Sequence, residues 1–562
     1  KLAAPRQGIS FTMSPRRLRP WSSRPRFAAF RDAVRRTRRR RRRRRRHRHR
    51  HRLLKPLTPP AAGSGSKATE TNGATCGQRE CAPNMGQELG LEVLPEDIIH
   101  RIHSIMPVQD AARAACVSRR FVHSWRSYSS LILSDRTLGL DDTDFEERKT
   151  HLIDKVDKIL KNHYGNGVKV KTLKLELGLC SDIKASYLDR WLRIIKSGIQ
   201  EFSLVLPLVM NKIYNFPCSV LSDEAAASSI QSLSLFGCAF HPTSILGRLR
   251  RLKSLHLCHV HITEDGLGHL LSKSSALERL VIDACSGIIC LKIPCTMQQL
   301  KFLAVKLCKM VRVVEIDAPQ LGSFHYGGTP VIYVRNSSQL KNVDISPVCL
   351  SGILSYARFS LPSIAQNVES LTLRGRSENA NTPMLPSKLP RLKNLEIALL
   401  KPHLSPNYDA FSLVSFLDAS PALESFILRV EQDAMMHDPV VGDDTEYRRQ
   451  NLECRNNSLR KVMITGFCSA KSLVELTVHI LERTHSLERF TLDITYGYDR
   501  RTCNIAKFPT ARMIGQCWSL SKRALEEAHR AVETADRYIK GRVPSSVQFE
   551  VLGPCPRCHI GK

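Results

Sequence analysis

The sequence lacks any apolar run approaching the roughly 20 residues needed to cross a bilayer. Its longest candidate, Phe202 to Met210, is interrupted by Ser203 and Pro207. Also missing are a Gly-rich phosphate loop ending in Lys-Ser/Thr, a His-Glu-x-x-His pair and a Gly-x-Ser-x-Gly elbow, the usual marks of nucleotide, zinc-protease and serine-hydrolase chemistry. Lys1-Leu2-Ala3-Ala4-Pro5 opens no extended apolar core, so it does not read as a secretory signal. The 18 Cys are scattered along the chain rather than packed into a small domain, which suits reduced thiols in the cytosol or nucleus. The expectation is a soluble, non-catalytic protein without cofactor or metal and without a membrane partner.

What the sequence holds in excess is positive charge, 85 Lys and Arg against 52 Asp and Glu, a formal +33. Taken whole, that figure points to a nucleic-acid binder. It is unevenly placed, because residues 1–84 carry 25 basic and 3 acidic residues and leave only +11 for residues 85–562. Arg35 to Arg52 is almost pure Arg and His, and Leu57 to Asn84 is rich in Pro, Gly, Ser, Thr and Ala. Without periodic apolar positions, neither stretch can offset the entropy of ordering. Residues 1–84 therefore read as a disordered arm able to bind nucleic acid or an import receptor. The alternative is the conceptual translation of a GC-rich repeat ahead of Met85, outside the native protein. Nucleic acid is a partner only in the first case.

From Leu91 to Leu133 the sequence predicts three short helices. Leu94-Pro95-Glu96-Asp97 places Pro and two acids in a first turn, where the helix dipole favours them. Ile98, Ile99, Ile102, Ile105 and Met106 follow at helical spacing, and Pro107 stops the helix. A second helix is expected from Asp110, burying Ala114, Ala115 and Val117. Ser118 can cap a third that carries Phe121 and Trp125.

From Val168 onward the spacing apolar-x-x-Leu-x-apolar returns, centred on Leu173, Phe202, Leu233, Leu255, Leu280, Leu303, Phe324, Val343, Leu371, Leu395, Phe426, Val462 and Phe490. Most steps run from about 20 to 30 residues, the range of leucine-rich repeats, with one short strand per unit. Five places after the central residue stand Cys238, Cys285 and Cys308, in the slot where such repeats turn Asn or Cys inward. They read as packing groups rather than nucleophiles, since nothing nearby lowers a thiol pKa. Extra matches at Ile288/Leu291/Ile293 and Val311/Val314/Ile316 halve the spacing between Leu280 and Phe324. That stretch is expected to be strand-turn-strand, closer to a β-solenoid, while helices cover other repeats at 187–196, 264–271, 411–417 and 472–482. Irregular loops are expected at 375–390 and 431–451. Ser519 to Lys540, with a final strand at Val547/Phe549/Val551, reads as a cap on the last repeat.

Two motifs carry weak chemistry. Cys555-Pro556-Arg557-Cys558-His559 matches the Cys-x-x-Cys-His of covalent haem attachment, which needs an exported protein and a haem pocket, neither indicated. Read as half of a zinc site it lacks a second ligand pair, and a tail without ligand is the simplest reading. His256, His259 and His261 alternate along one strand and turn without an evident third ligand, and read as solvated surface.

The helical unit resembles an F-box in the form found in plant F-box/leucine-rich-repeat proteins. The residues that carry the likeness are Leu94-Pro95-Glu96-Asp97-Ile98-Ile99, then Asp110 to Phe121 with Val117-Ser118-Arg119-Arg120-Phe121, then Ser124-Trp125-Arg126. Trp191-Leu192, Gly198 to Phe202 and Ile464 to Leu476 are similar to the same family, and the C-terminal region is FBD-like. The implied fold class is α/β, a small three-helix F-box followed by an irregular leucine-rich-repeat solenoid with a helical C-terminal cap and a disordered basic N-terminus. The corresponding segments are 1–84, 85–135, 145–510 and 511–562.

The resemblance implies a substrate-recognition subunit of a Skp–cullin–F-box ubiquitin ligase in the nucleus or cytoplasm. Its partners would be a Skp-family adaptor, through it a cullin, and a protein substrate held by the repeats. Leu94, Pro95, Ile98, Ile99, Ile102, Pro107, Val117 and Trp125 would form or support the adaptor-facing surface. They can equally be the small unit's core, and a unit of this size gains stability from a partner in either case. The repeats are uneven and lack the invariant Asn, which argues against a smooth horseshoe or a small-molecule pocket. The competing readings are a basic nuclear nucleic-acid binder and a repeat scaffold outside any ligase.

Overall fold

A computed structural model describes residues 94–554 with short interruptions and three longer ones, at 377–387, 431–456 and 495–521. The expected N-terminal arm, most of the two expected irregular loops and the Cys555-Cys558-His559 tail lie outside the described residues. Among the described residues no helix is long and apolar enough to cross a membrane.

Three helices open the described chain, α1 (Glu96–Ile105), α2 (Val108–Val117) and α3 (Arg119–Arg126), as the spacing predicts. Strand β1 (Ser130–Leu133) and a long helix α4 (Phe145–Gly165) follow. The strands β2 (Thr172–Glu176), β3 (Glu201–Val205), β5 (Ser232–Phe236), β7 (Ser254–Cys258), β8 (Arg279–Asp283), β10 (Phe302–Lys306) and β12 (Ser323–Gly327) then stack in parallel on β1. They continue through β14 (Asn342–Ile345), β15 (Ser370–Arg376), β16 (Asn394–Leu400), β17 (Ser425–Val430), β18 (Lys461–Thr465), β19 (Arg489–Asp493) and β20 (Gln548–Leu552). Together they form a sheet of 15 strands among the described residues.

The thirteen expected central residues occupy one row of this sheet. Leu131 pairs with Leu173, Leu173 with Phe202, and so on through Val462, Phe490 and Phe549. A second inward row, two residues on, runs from Leu133 through Leu175, Leu257 and Ile397 to Leu492. Both rows are buried in one continuous apolar core. Because a strand alternates faces every residue, a one-residue slip would turn both rows out to water, which pins the register. Edge residues reinforce it with alternating charge. Glu278 lies between Lys253 and Lys301 at 3.4 and 3.1 Å, and Glu369 between Lys341 and Lys393 at 3.2 and 3.4 Å.

The double spacing between Leu280 and Phe324 has the expected cause. The extra matches are strands β9 (Cys290–Ile293) and β11 (Val313–Asp317), and β11 pairs with β9 on one side and β13 (Val331–Arg335) on the other to form a second, three-stranded sheet. Elsewhere helices cover the core, namely α5 (Ala185–Leu192), α6 (Glu224–Ser229), α7 (Glu264–Ser272), α8 (Val414–Asp418) and α9 (Lys471–Arg483). A two-stranded ladder of β4 (Asn215–Phe216) and β6 (Ala239–Phe240) lies in the earlier repeats. Near the end, α10 (Lys522–Thr534) leads to β20, which adds as the last strand of the main sheet. The sheet thus begins inside the 85–135 segment and ends inside the 511–562 segment, so the strand ladder runs through both expected boundaries.

Candidate partner-binding site

Helix α1 is built for two environments. Pro95, extended at φ −56° and ψ 152°, precedes the first turn, Glu96 and Asp97 sit where the dipole wants negative charge, and the Ile99 N–H closes the turn on the Pro95 carbonyl at 3.1 Å. Ile99 and His103, four residues apart, face inward. His103 is fully buried, its Nε2 lies 2.9 Å from the Ala111 carbonyl, and its ring meets Phe121 edge-on at 5.1 Å and Trp125 at 5.9 Å. Arg120 in turn donates to the Leu94 carbonyl at 2.5 Å, tying α3 to the start of α1.

A neighbouring stripe of α1 is apolar and only partly covered. Ile98 is 41% and Ile105 71% exposed, Ile102 is half-buried between them, and Pro95 is exposed beside the half-buried Leu94. Positions 98, 102 and 105 stand one turn apart on one helical stripe. Of the eight residues singled out from the sequence, Leu94, Pro95, Ile98 and Ile102 therefore gather on the outer side. Ile99 is buried inside the helical unit, and Trp125 packs partly buried against the common core. Pro107 lies outside the described residues, as does the side chain of Val117. Ile105 belongs to the outer stripe and was legible from its spacing to Ile98. Val122 on α3 is a further exposed apolar side chain, 37% exposed.

This unit is fixed to the repeats. Val108 and Ala111 of α2 join the same core as Leu138, Leu140 and Leu152. The Gln109 N–H donates to the Thr137 carbonyl at 3.3 Å, and the Lys155 ammonium to the Leu138 carbonyl at 3.0 Å. Further on, Asp157 joins α4 to α5 by accepting from Trp191 Nε1 at 3.0 Å and pairing with Lys161 and Arg190. Burial would raise the Asp157 carboxyl, but those three donors outweigh it and hold it below its ordinary range.

The second surface is the outer face of the long sheet. Its central part carries a chain of contacts across strands. The Arg279 guanidinium lies 3.8 Å from the Phe302 ring centroid, Phe302 meets His325 at 4.8 Å, and His325 Nδ1 is 3.5 Å from Asp344. Asp344 takes both its oxygens to Arg374, at 2.9 and 2.7 Å. Burial lowers the His325 imidazole below its ordinary value, Asp344 opposing the effect. The inward cysteines are buried packing groups, and burial pushes the Cys238 thiol up to about 12. The expectation that nothing nearby lowers a thiol fails at Cys308, because its hydrogen bond with Cys285 lowers Cys308 and raises Cys285. Of the alternating histidines, His259 packs edge-on against Phe236, whereas His261 faces His241 and Ser286.

Comparison with known proteins agrees with both halves. Residues 91–133 match the F-box domain, and residues 159–556 match the At1g61320/AtMIF1, LRR domain. From Arabidopsis thaliana, the F-box protein At1g80960 is 24% identical over 246 residues, 41% of this chain and 47% of that protein. The putative FBD-associated F-box protein At1g61330 is 21% identical over 447 residues, 75% of this chain and 95% of that protein. The chain thus spans about half the length of the first relative and nearly all of the other. A Listeria monocytogenes internalin aligns at 13% identity and TM-score 0.23, over 61% of this chain and 81% of that one, a likeness too slight to carry weight. With an F-box ahead of a repeat sheet matched along most of its length, the chain belongs to the plant-type F-box/leucine-rich-repeat proteins of the At1g61320/AtMIF1 repeat family.

Proposed function

We propose that this chain is the substrate receptor of a Skp–cullin–F-box ubiquitin ligase, with the outer stripe of α1 docking on a Skp-family adaptor and the repeats holding a target protein. The observation that carries the reading is that stripe: Ile98 and Ile105 stand exposed and Ile102 half-buried on α1, with exposed Pro95 and half-buried Leu94 just ahead of it, while Ile99 and His103 are packed. Fully burying an exposed side chain such as Ile is worth about 1.5–3 kcal/mol, so covering the exposed parts of Ile98 and Ile105 favours an apolar partner surface. The chain itself supplies no reactive group on this reading. It raises the effective concentration of a substrate lysine near a conjugating enzyme, which is catalysis by proximity, in the nucleus or cytoplasm.

Co-purification with a Skp adaptor tests the reading. Ile98→Glu with Ile105→Glu alters exposed positions and should abolish capture while leaving the fold intact. Leu94→Ala, Pro95→Ala and Trp125→Ala together should weaken it at least tenfold. Undiminished capture by the Ile98→Glu/Ile105→Glu chain would remove the stripe as the docking surface.

A further inference from the structure

We infer that the outer sheet face around Arg279, Phe302 and Lys306 is the docking place for an acidic peptide segment of a protein partner. Under the receptor reading that partner is the substrate, so the inference rests on that reading for the partner's role. The argument starts from charge. On this face and its edge the cations are mostly answered: Lys174 by Glu201, Arg374 by Asp344, Arg429 by Glu396, and Lys253 and Lys301 by Glu278. Arg279 and Lys306 differ. Both are exposed, and among the described residues neither forms an ion pair, although Asp283 stands across from Lys306 on the neighbouring strand.

They also sit on a platform. Arg279 opposes Phe302 across adjacent strands, and Lys306 ends the strand that Phe302 begins. Between them Phe302 and His325 present half-buried rings over Ala304, which is itself buried. A cation held over an aromatic face keeps its guanidinium edge available to a carboxylate. Arg279 at the start of β8 and Lys306 at the far end of the neighbouring β10, with rings between, fit an extended segment that alternates carboxylates with apolar or aromatic side chains. Lys461 and its neighbour Arg489, also without an ion pair among the described residues, lie on β18 and β19 far along the sheet and have no such platform.

The test uses the full chain and a short benzophenone-bearing peptide rich in Glu and Asp, with its Gln/Asn counterpart as the neutral probe. After irradiation, adducts are mapped by mass spectrometry. The acidic probe should label peptides from β8, β10 and β12, and Arg279→Glu with Lys306→Glu should cut that labelling about tenfold at unchanged thermal midpoint. Lys461→Glu should leave it unaltered. Labelling confined to residues 35–52, equal labelling by the neutral probe, or no loss in the double variant overturns the inference. Capture of the Skp adaptor by the same preparation is measured alongside. Capture without labelling on β8–β12 overturns this inference alone, whereas labelling without capture leaves the docking face standing and overturns the receptor reading.

Discussion

The repeats of β8 to β14 and those of β16 to β19 share the inward rows but are covered differently. In the first region the strands return every roughly 20 residues, and the return path is a second sheet, β9, β11 and β13. In the second they return every roughly 30 residues, and helices α8 and α9 fill the path. A short return has no room for helical turns, so it stays extended and pairs with its neighbours. The covers differ in finish. Helix α9 buries Leu473, Val474, Leu476, Val478, Ile480 and Leu481, whereas β13 leaves Val331 and Tyr333 more than half exposed. Repeat length, more than repeat sequence, therefore decides what lies over the core.

The strongest way to break this comparison is to remove matched inward rings. Phe324 and Phe426 occupy the same row and are both buried, so Phe324→Ala and Phe426→Ala should each cost about 3–5 kcal/mol. Hydrogen exchange within each repeat reads the loss. A cost below about 2 kcal/mol at Phe324 alone would mean that the double wall relaxes around a cavity as the helical cover does not.

A smaller contrast lies just past the strands, where the backbone turns left-handed. After β18 this position is Gly466, at φ 76°, and an added Cβ would lie 1.8 Å from the Val430 carbonyl oxygen. After β7, β8 and β10 it is His259, Ala284 and Leu307, at φ 51°, 49° and 55°. Gly466→Ala should therefore cost about 3 kcal/mol or more. Leu307→Gly, which frees a left-handed and 41% exposed side chain, should stabilise by up to about 1 kcal/mol. Thermal midpoints moving in opposite directions check the pair, and a loss at Leu307→Gly would show that its exposed side chain makes a contact of its own.

The smallest effects separate the regions by pH. Burial raises the Asp418 carboxyl on α8 from 3.8 to about 6, with Arg483 opposing. The folded state then holds a proton that the unfolded chain has lost, so the helical region loses stability as pH rises from about 4 to about 6. Asp418→Asn should remove that slope and raise the midpoint above pH 6. The hydrogen bond from Lys301 lowers Glu278, and that from Lys341 lowers Glu369, both below 4.5. There the unfolded chain binds the proton more readily, so stability is present above about pH 4.5 and is lost as pH falls through the folded value. Because both glutamates lie at the sheet edge with 35% and 33% of the side chain exposed and pair with exposed lysines, this slope should be slight and should fade in high salt.

Much of this was legible in the residues. The central rows, the strand-turn-strand stretch and the covering helices follow from apolar spacing, because a buried row demands an apolar residue at a fixed interval. Strand β1 was hidden because Leu131 and Leu133 close the helical unit and read as part of it. Helix α4 was carried by Leu152, Val156 and Leu160 at i, i+4 and i+8, a signal weakened by the charged residues between them. On α1, spacing alone could gather Ile98, Ile99 and Ile102 on one helix but could not divide them between core and solvent.

The sequence by itself determined the period, the inward rows and the F-box likeness, since each depends on intervals along one strand or helix. That Ile99 packs inward while Ile98 and Ile105 stay exposed, and that Arg279 and Lys306 form no ion pair among the described residues, follows from the folded arrangement alone. Those outcomes depend on which residues from distant repeats arrive side by side. The parallel register, set by two apolar rows and an alternating charge edge, fixes that arrangement across the whole sheet.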